Sequence, residues 1–411
     1  MNTMFLTVLA IAGSLFFISQ PTRKSPLLHP GTIELQDSSV SGEPLDVTHY
    51  PDIKKSAWEE SAIEWLIKAQ SPNGGWGAGS HAYQNIKDPH QVQTDPATTA
   101  FAAKALLKAG GPLKTNPYKE QIMKGLDRIL KDIETRPNNG RITSLDGTQP
   151  QIKLGVNIDA SMALQFISEI REQLDNKELE TKVDKAAEVC IQLIQGSQDA
   201  NGGWAGGGWA PVLQSAMANN ALERAQERYD VDVKAIENSR KYQADNMAGG
   251  DVRSEDAAGV PLYAAASAQR ATSTEAREAE TYFEPGTASD FSSGKMKKEE
   301  LSKVLESKGM DRSKAERLAN SYAVNYTSSK VLESDEIWEG FGNNGGEEYL
   351  SYMLTSESLA QQGKEEWLKW RQSIDPKFKQ SQNPNGSWSG HHCITSPVFC
   401  TAAILQAMNA L

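Results

Sequence analysis

Lysine and arginine form no clustered run in the chain, and 42 basic against 53 acidic residues leave a formal net charge of −11. Binding nucleic acid by neutralising phosphates needs a concentrated basic face, so that class of partner is excluded. Cysteine is scarce as well. Its three copies are an odd number. Cys190 falls on the apolar stripe of a helix and reads as a small buried hydrophobe, while Cys393 and Cys400 flank a helix start and pair only if their geometry allows it. No long membrane-spanning run stands out either. The uncharged stretch Met4 to Ile18 is too short for an ordinary spanning helix and has the length of a signal-peptide core. No Lys or Arg precedes it and its cleavage pattern is poor, so residues 1–20 read as a cleaved leader or an uncleaved anchor, with a buried N-terminal helix as the bland alternative. Export to a periplasmic, secreted or anchored location is expected, with membrane contact only through this segment. Residues 21–50, rich in Pro, Ser, Thr and acidic groups, read as a linker.

What the chain does contain is a repeat. Gln70-Ser71-Pro72-Asn73-Gly74-Gly75-Trp76, Gln198-Asp199-Ala200-Asn201-Gly202-Gly203-Trp204 and Gln382-Asn383-Pro384-Asn385-Gly386-Ser387-Trp388 share one pattern. Each follows an amphipathic helical run and precedes an Ala-rich run opened by proline. In the first copy, Trp58, Ala62, Trp65, Leu66 and Ala69 form a stripe at helical spacing. Asn73-Gly74-Gly75 then breaks the helix, and Thr94-Asp95-Pro96 opens a second one with a cap and a proline suited to the first turn. That second helix is small and apolar nearly all round, as a helix buried on most sides should be. A Gln at a helix end can bond free backbone groups of the next unit while the Trp fills the junction; the alternative is that these Trp rings stack on sugars or bases.

Trp65-Leu66-x-x-x-Gln70-x-x-x-Gly74-x-Trp76 resembles the QW motif of the terpene cyclase and protein prenyltransferase superfamily. The resemblance extends over residues 51–110, 181–226 and 345–411, and it implies an all-α fold, an α/α toroid of inner helices ringed by outer ones. Weaker pairs, Tyr118 to Ile133 with Ile158 to Ile170 and Val233 to Asp245 with Asp256 to Gln269, bring the count to five or six hairpins. One ring over 51–411 is expected rather than two domains. Within it, residues 284–335 depart from the rhythm, and Gly294 to Asn320 reads as two short charged helices in a surface insertion.

In such a ring the ligand site is the cavity end where the inner helices begin. The residues there are Asp95, Asp159, Asp256, Glu347, Glu348, His391, His392 and Cys393. Asp95 and Asp159 are candidate catalytic acids, and also good helix caps. Glu347 and Glu348 occupy the first turn of an inner helix, where they serve its dipole, share a proton or bind a cation. His391, Tyr349 and Trp388 are candidate substrate contacts. His392 and Cys393 are candidate zinc ligands, with a Glu from a neighbouring helix to complete the set; no other cofactor is indicated. The Asp-x-Cys of prenyltransferases is missing, since the corresponding stretch reads Gly346-Glu347-Glu348-Tyr349. The Asp-x-Asp-Asp of protonation-initiated cyclases is missing too, the nearest string being Asp230-Val231-Asp232-Val233.

Three functions follow. The first is an exported toroid that binds or transforms an isoprenoid or other apolar ligand as a transferase or isomerase would. The second resembles pectate lyases, on Gln70 to Trp76 and Thr94-Asp95-Pro96-Ala97-Thr98-Thr99, although no Arg-rich cluster accompanies them. The third is a noncatalytic scaffold for a protein whose identity the sequence leaves open.

Overall fold

The computed structural model describes residues 54–247, 255–340 and 344–411. The expected leader and linker, 1–50, lie outside the described residues.

Proline and glycine punctuate the chain into helices that alternate in character. The first pair is α1 (Ala57–Lys68) and α2 (Pro96–Gly110), followed by α3 (Lys119–Glu134), a short α4 (Gln149–Leu154) and α5 (Ile158–Arg171). Next come α6 (Lys177–Gly196) with α7 (Pro211–Ala225), and α8 (Val233–Asp245) with α9 (Pro261–Glu280). The chain continues through α10 (Thr287–Ser292), α11 (Lys298–Ser307) and α12 (Arg312–Leu332) to α13 (Gly346–Gln362), and ends with α14 (Lys364–Ser381) and α15 (Pro397–Met408). No strand is formed among the described residues.

Two sequence signatures set the layers. In α3 the buried residues Ile122, Leu126, Ile129 and Ile133 recur every three or four positions, leaving a polar outer face. In α2 every residue except Lys108 and Gly110 is buried, and six of its side chains are alanine, which lets neighbouring backbones approach closely on both flanks. The helices of the second kind form the inner ring. α2 packs on α5, α5 on α7, α7 on α9, α9 on α13, α13 on α15, and α15 back on α2. The circle closes with six inner helices among the described residues, so the expected α/α toroid is the fold.

The repeated Gln and Trp hold the ring together by hydrogen bonds. Trp76 Nε1 donates to the Leu66 carbonyl at 2.8 Å, Trp204 to Ile194 at 2.8 Å and Trp388 to Phe378 at 3.0 Å, each satisfying a late carbonyl of its own outer helix. Gln70 Nε2 donates to the Gly74 carbonyl and, at 2.9 Å, to that of Gln121 in α3. Gln198 reaches Ala235 in α8 at 2.8 Å, and Gln382 reaches Trp58 in α1 at 2.9 Å. Each glutamine therefore ties its unit to the first turn of the next outer helix. All three Trp rings are fully buried, so packing prevails over the stacking-platform alternative. Burial of such a ring contributes on the order of 3 kcal/mol apiece. The glycine after each Asn is obligatory: Gly202 has φ +91°, and a Cβ there would lie 2.4 Å from the Asn238 carbonyl oxygen of α8.

Two boundaries differ from the sequence reading. The expected helix Asp256 to Gln269 is a 3-10 turn, Glu255–Ala257, followed by α9 from Pro261. Positive φ at Ala258 and Gly259 separates the two. Over 284–335 the two short charged helices become α10, α11 and the 21-residue α12, which lies along α9. Ala315, Leu318, Ala319 and Tyr322 of α12 and Leu301 and Leu305 of α11 bury against Ala276 and Ala279 of α9 as a satellite core. The charged residues of α12 masked its apolar face, whose alanines carry little hydrophobic signal.

Candidate functional site

The inner helices open on one end of the ring, and four buried carboxyl groups gather there. Asp95 caps α2, accepting from Thr98 N at 2.8 Å and from Ala78 N at 2.8 Å. Asp159, in the first turn of α5, reaches the same helix start: its Oδ1 accepts from Ala97 N at 3.3 Å and its Oδ2 from Gln151 Nε2 at 2.7 Å. Burial pushes the Asp95 carboxyl up to about 6, against the pull of its backbone donors. Burial, and then the negative charge of Asp95, pushes Asp159 up to about 7. The capping role holds, and it coexists with a proton held near neutrality.

The second pair stands at the start of α13. Glu348 accepts from Gly345 N at 2.7 Å and from the Tyr263 hydroxyl at 2.6 Å, and its Oε2 lies 3.8 Å from His392 Nε2. Glu347 accepts from Ile394 N at 3.1 Å. Burial and the neighbouring charge of Glu348 push Glu347 up to about 8. Three of the four acids thus retain protons in a range where a free carboxylic acid has lost them.

α4 lies over this end as a strap. Gln149 Oε1 accepts from Thr395 N at 2.7 Å and Ser396 N at 3.1 Å, at the start of α15, while its Nε2 donates to the Ala78 carbonyl at 2.8 Å. Gln151 holds Asp159. Lys153, 5% exposed, places its ammonium 4.0 Å from the centre of the Trp209 ring. Sequence reading missed α4, although Thr148-Gln149-Pro150-Gln151 carries its signal. Thr148 Oγ1 accepts from Gln151 N, and the Gln151 side chain accepts in return from Thr148 N.

Deeper in the ring the lumen is bridged by its own charges. Lys104 of α2 donates to Gln165 of α5 at 2.9 Å and to Glu357 of α13 at 3.2 Å. Glu357 also accepts from Asn220 of α7 and Arg270 of α9, each at 3.3 Å. Five inner helices meet at these side chains. Burial pushes Glu357 up, but Lys104 and Arg270 pull harder and leave it at about 2. Arg270 continues to Glu223 at 3.0 Å, and Arg240 joins Glu223 to Glu275. No sequence reading found this network; the signal was a lysine inside an otherwise apolar stretch of helix, Ala100 to Leu107.

Several sequence candidates fall elsewhere. Trp388 is a buried staple, T-stacked on Trp58, and Tyr349 is buried in the wall against Phe378 of α14; neither is placed to touch a ligand in the lumen. His391 is exposed. Asp256 accepts from the Tyr242 hydroxyl of α8 at 2.9 Å, in the outer layer. His392 and Cys393 do reach the rim, where burial and then Glu347 push the Cys393 thiol up to about 12. Among the described residues, no three His, Cys, Asp or Glu side chains are set as metal ligands, so the zinc reading does not fit the site. Cys190, Cys393 and Cys400 are all free thiols.

Residues 45–138, spanning the first Gln-to-Trp unit, α2 and α3, match the squalene-hopene cyclase C-terminal domain family. No curated protein matches the chain. The closed ring of paired helices is an α/α toroid, and over residues 45–138 the chain is similar to the terpene cyclase/prenyltransferase superfamily through this match.

Proposed function

We propose that the protein binds, and acts as a proton donor toward, an apolar isoprenoid-like ligand seated at the inner-helix end of its toroid, in an exported setting. The observation that carries this is the set of buried carboxyl groups at the starts of α2, α5 and α13, with Asp95, Asp159 and Glu347 raised to about 6, about 7 and about 8. A carboxylic acid poised near the working pH is suited to deliver a proton to an alkene or a carbonyl. Asp159 and Glu347 are the donors, Tyr263 holds Glu348 in place, and α4 limits water access. The Lys104–Glu357–Arg270 bridge sets a floor, so the ligand is short or keeps most of its length outside the ring. Multi-ring cyclisation is not proposed: the inner helices carry Ala and Thr where a carbocation would need aromatic faces. The lyase reading is set aside, because Arg270 and Arg240 are spent on internal glutamates.

The test is solvent extraction of the purified protein followed by mass spectrometry. An isoprenoid recovered from wild type, and reduced in the Asp159→Asn/Glu347→Gln double variant, is the expected result. A clean extract together with no binding of added isoprenoid alcohols overturns the reading. It would favour the scaffold alternative, which the charge-bridged lumen also supports.

A further inference from the structure

Lys153 is buried, and among the described residues its ammonium makes no hydrogen bond or ion pair. Buried ammonium groups are ordinarily paired, since leaving water uncompensated is costly. The Lys153 ammonium lies 4.0 Å from the centre of the Trp209 ring, and a single cation–π contact returns only part of that loss. The Trp209 residue is 58% exposed, a larger fraction than any other large hydrophobic among the described residues except Tyr83. Backbone bonds hold the two together, with Trp209 N donating to the Lys153 carbonyl at 2.9 Å. The ammonium also acts electrostatically on His81, Glu347 and Cys393, which places it near the rim groups.

We propose that Lys153 and Trp209 form a subsite for a ligand carboxylate, with the adjoining flat apolar part of the ligand lying on the indole. A monoanion fits because one ammonium is unpaired: Arg141 is committed to Asp146, and His392 already faces Glu348. The inference rests on the apolar-ligand reading above and adds to it a polar head.

The experiment titrates wild type by calorimetry, at neutral pH and low salt, with geraniol and with geranate, its carboxylate counterpart. Wild type is expected to bind geranate about tenfold more tightly, the size of one charge-assisted hydrogen bond. Lys153→Met should bind both probes alike, and Trp209→Ala should weaken both. Equal binding of the two probes to wild type, a measurement that needs no variant, overturns the subsite and leaves the apolar-ligand reading standing. So does a preference for geranate that survives in Lys153→Met. If wild type binds neither probe, the apolar-ligand reading fails and the subsite goes with it.

Discussion

The Gln382 side-chain amide donates to the backbone carbonyl of Trp58 at 2.9 Å, across 324 positions of chain. That bond fastens the last outer helix, α14, to the first, α1, and it makes the ring a closed object. The same amide holds the Gly386 carbonyl at 2.8 Å. Gln382→Ala removes both bonds and leaves two part-buried carbonyls without that donor, so a loss of about 1–3 kcal/mol is expected in urea denaturation. Trp388→Phe keeps most of the ring volume and loses the donor to Phe378, with an expected loss of about 1 kcal/mol plus the smaller ring. An unchanged midpoint for Gln382→Ala would show that packing alone closes the circle.

The lumen bridge predicts a non-additive pair. Glu357→Ala leaves the buried Lys104 without its carboxylate, takes one of two from Arg270, and should cost about 3–5 kcal/mol. Lys104→Met in the same chain removes one stranded charge, so the double variant should be more stable than Glu357→Ala alone. Chemical denaturation of the four proteins checks this; strictly additive losses would mean that the two side chains do not interact.

Asp159 gives the protein a pH signature. Its folded value, about 7, lies above the ordinary 3.8. The folded state therefore holds a proton that the unfolded state has released, and this contribution to stability is present below pH about 4 and is lost as pH rises through about 7. Asp159→Asn cannot ionise but gives up one of two accepted bonds. It should be slightly less stable than wild type at pH 4.5 and more stable at pH 8, the two thermal melting curves crossing between. Parallel curves would contradict the assignment.

Glycine positions separate strain from collision. Gly140 has φ +78° with open space where a Cβ would go, whereas Gly202 has φ +91° and the Asn238 carbonyl in the way. Gly140→Ala should cost about 1 kcal/mol from backbone conformation alone, and Gly202→Ala distinctly more. Equal losses would remove the argument that Gly202 is fixed by its neighbour on α8.

The architecture was legible because the repeats expose it: Asn-Gly breaks, prolines opening each Ala-rich helix and tryptophans at fixed offsets all report local geometry. Gln70, Gln198 and Gln382 were readable as ties between units for the same reason. The rim acids were found because Asp95 and Asp159 sit at recognisable helix starts and Glu347 and Glu348 follow a Gly-Gly break. What stayed hidden depends on distance in sequence. Lys104 meets Glu357 across 253 positions, and nothing local in either helix names the other. The side chains of Tyr349 and Trp388 lie beside the right loops yet point into the wall, a matter of helical phase that the motif does not fix. The length and buried face of α12 were missed because small buried alanines look neutral among charged neighbours.

A crystal structure of the protein with geraniol or geranate bound would test the central claim most directly. The account predicts ligand density at the inner-helix end, within hydrogen-bonding reach of Asp159 or Glu347 and above the Lys104–Glu357 bridge. Density confined to the opposite end of the ring, or to the outer surface with these carboxyl groups untouched, would contradict it.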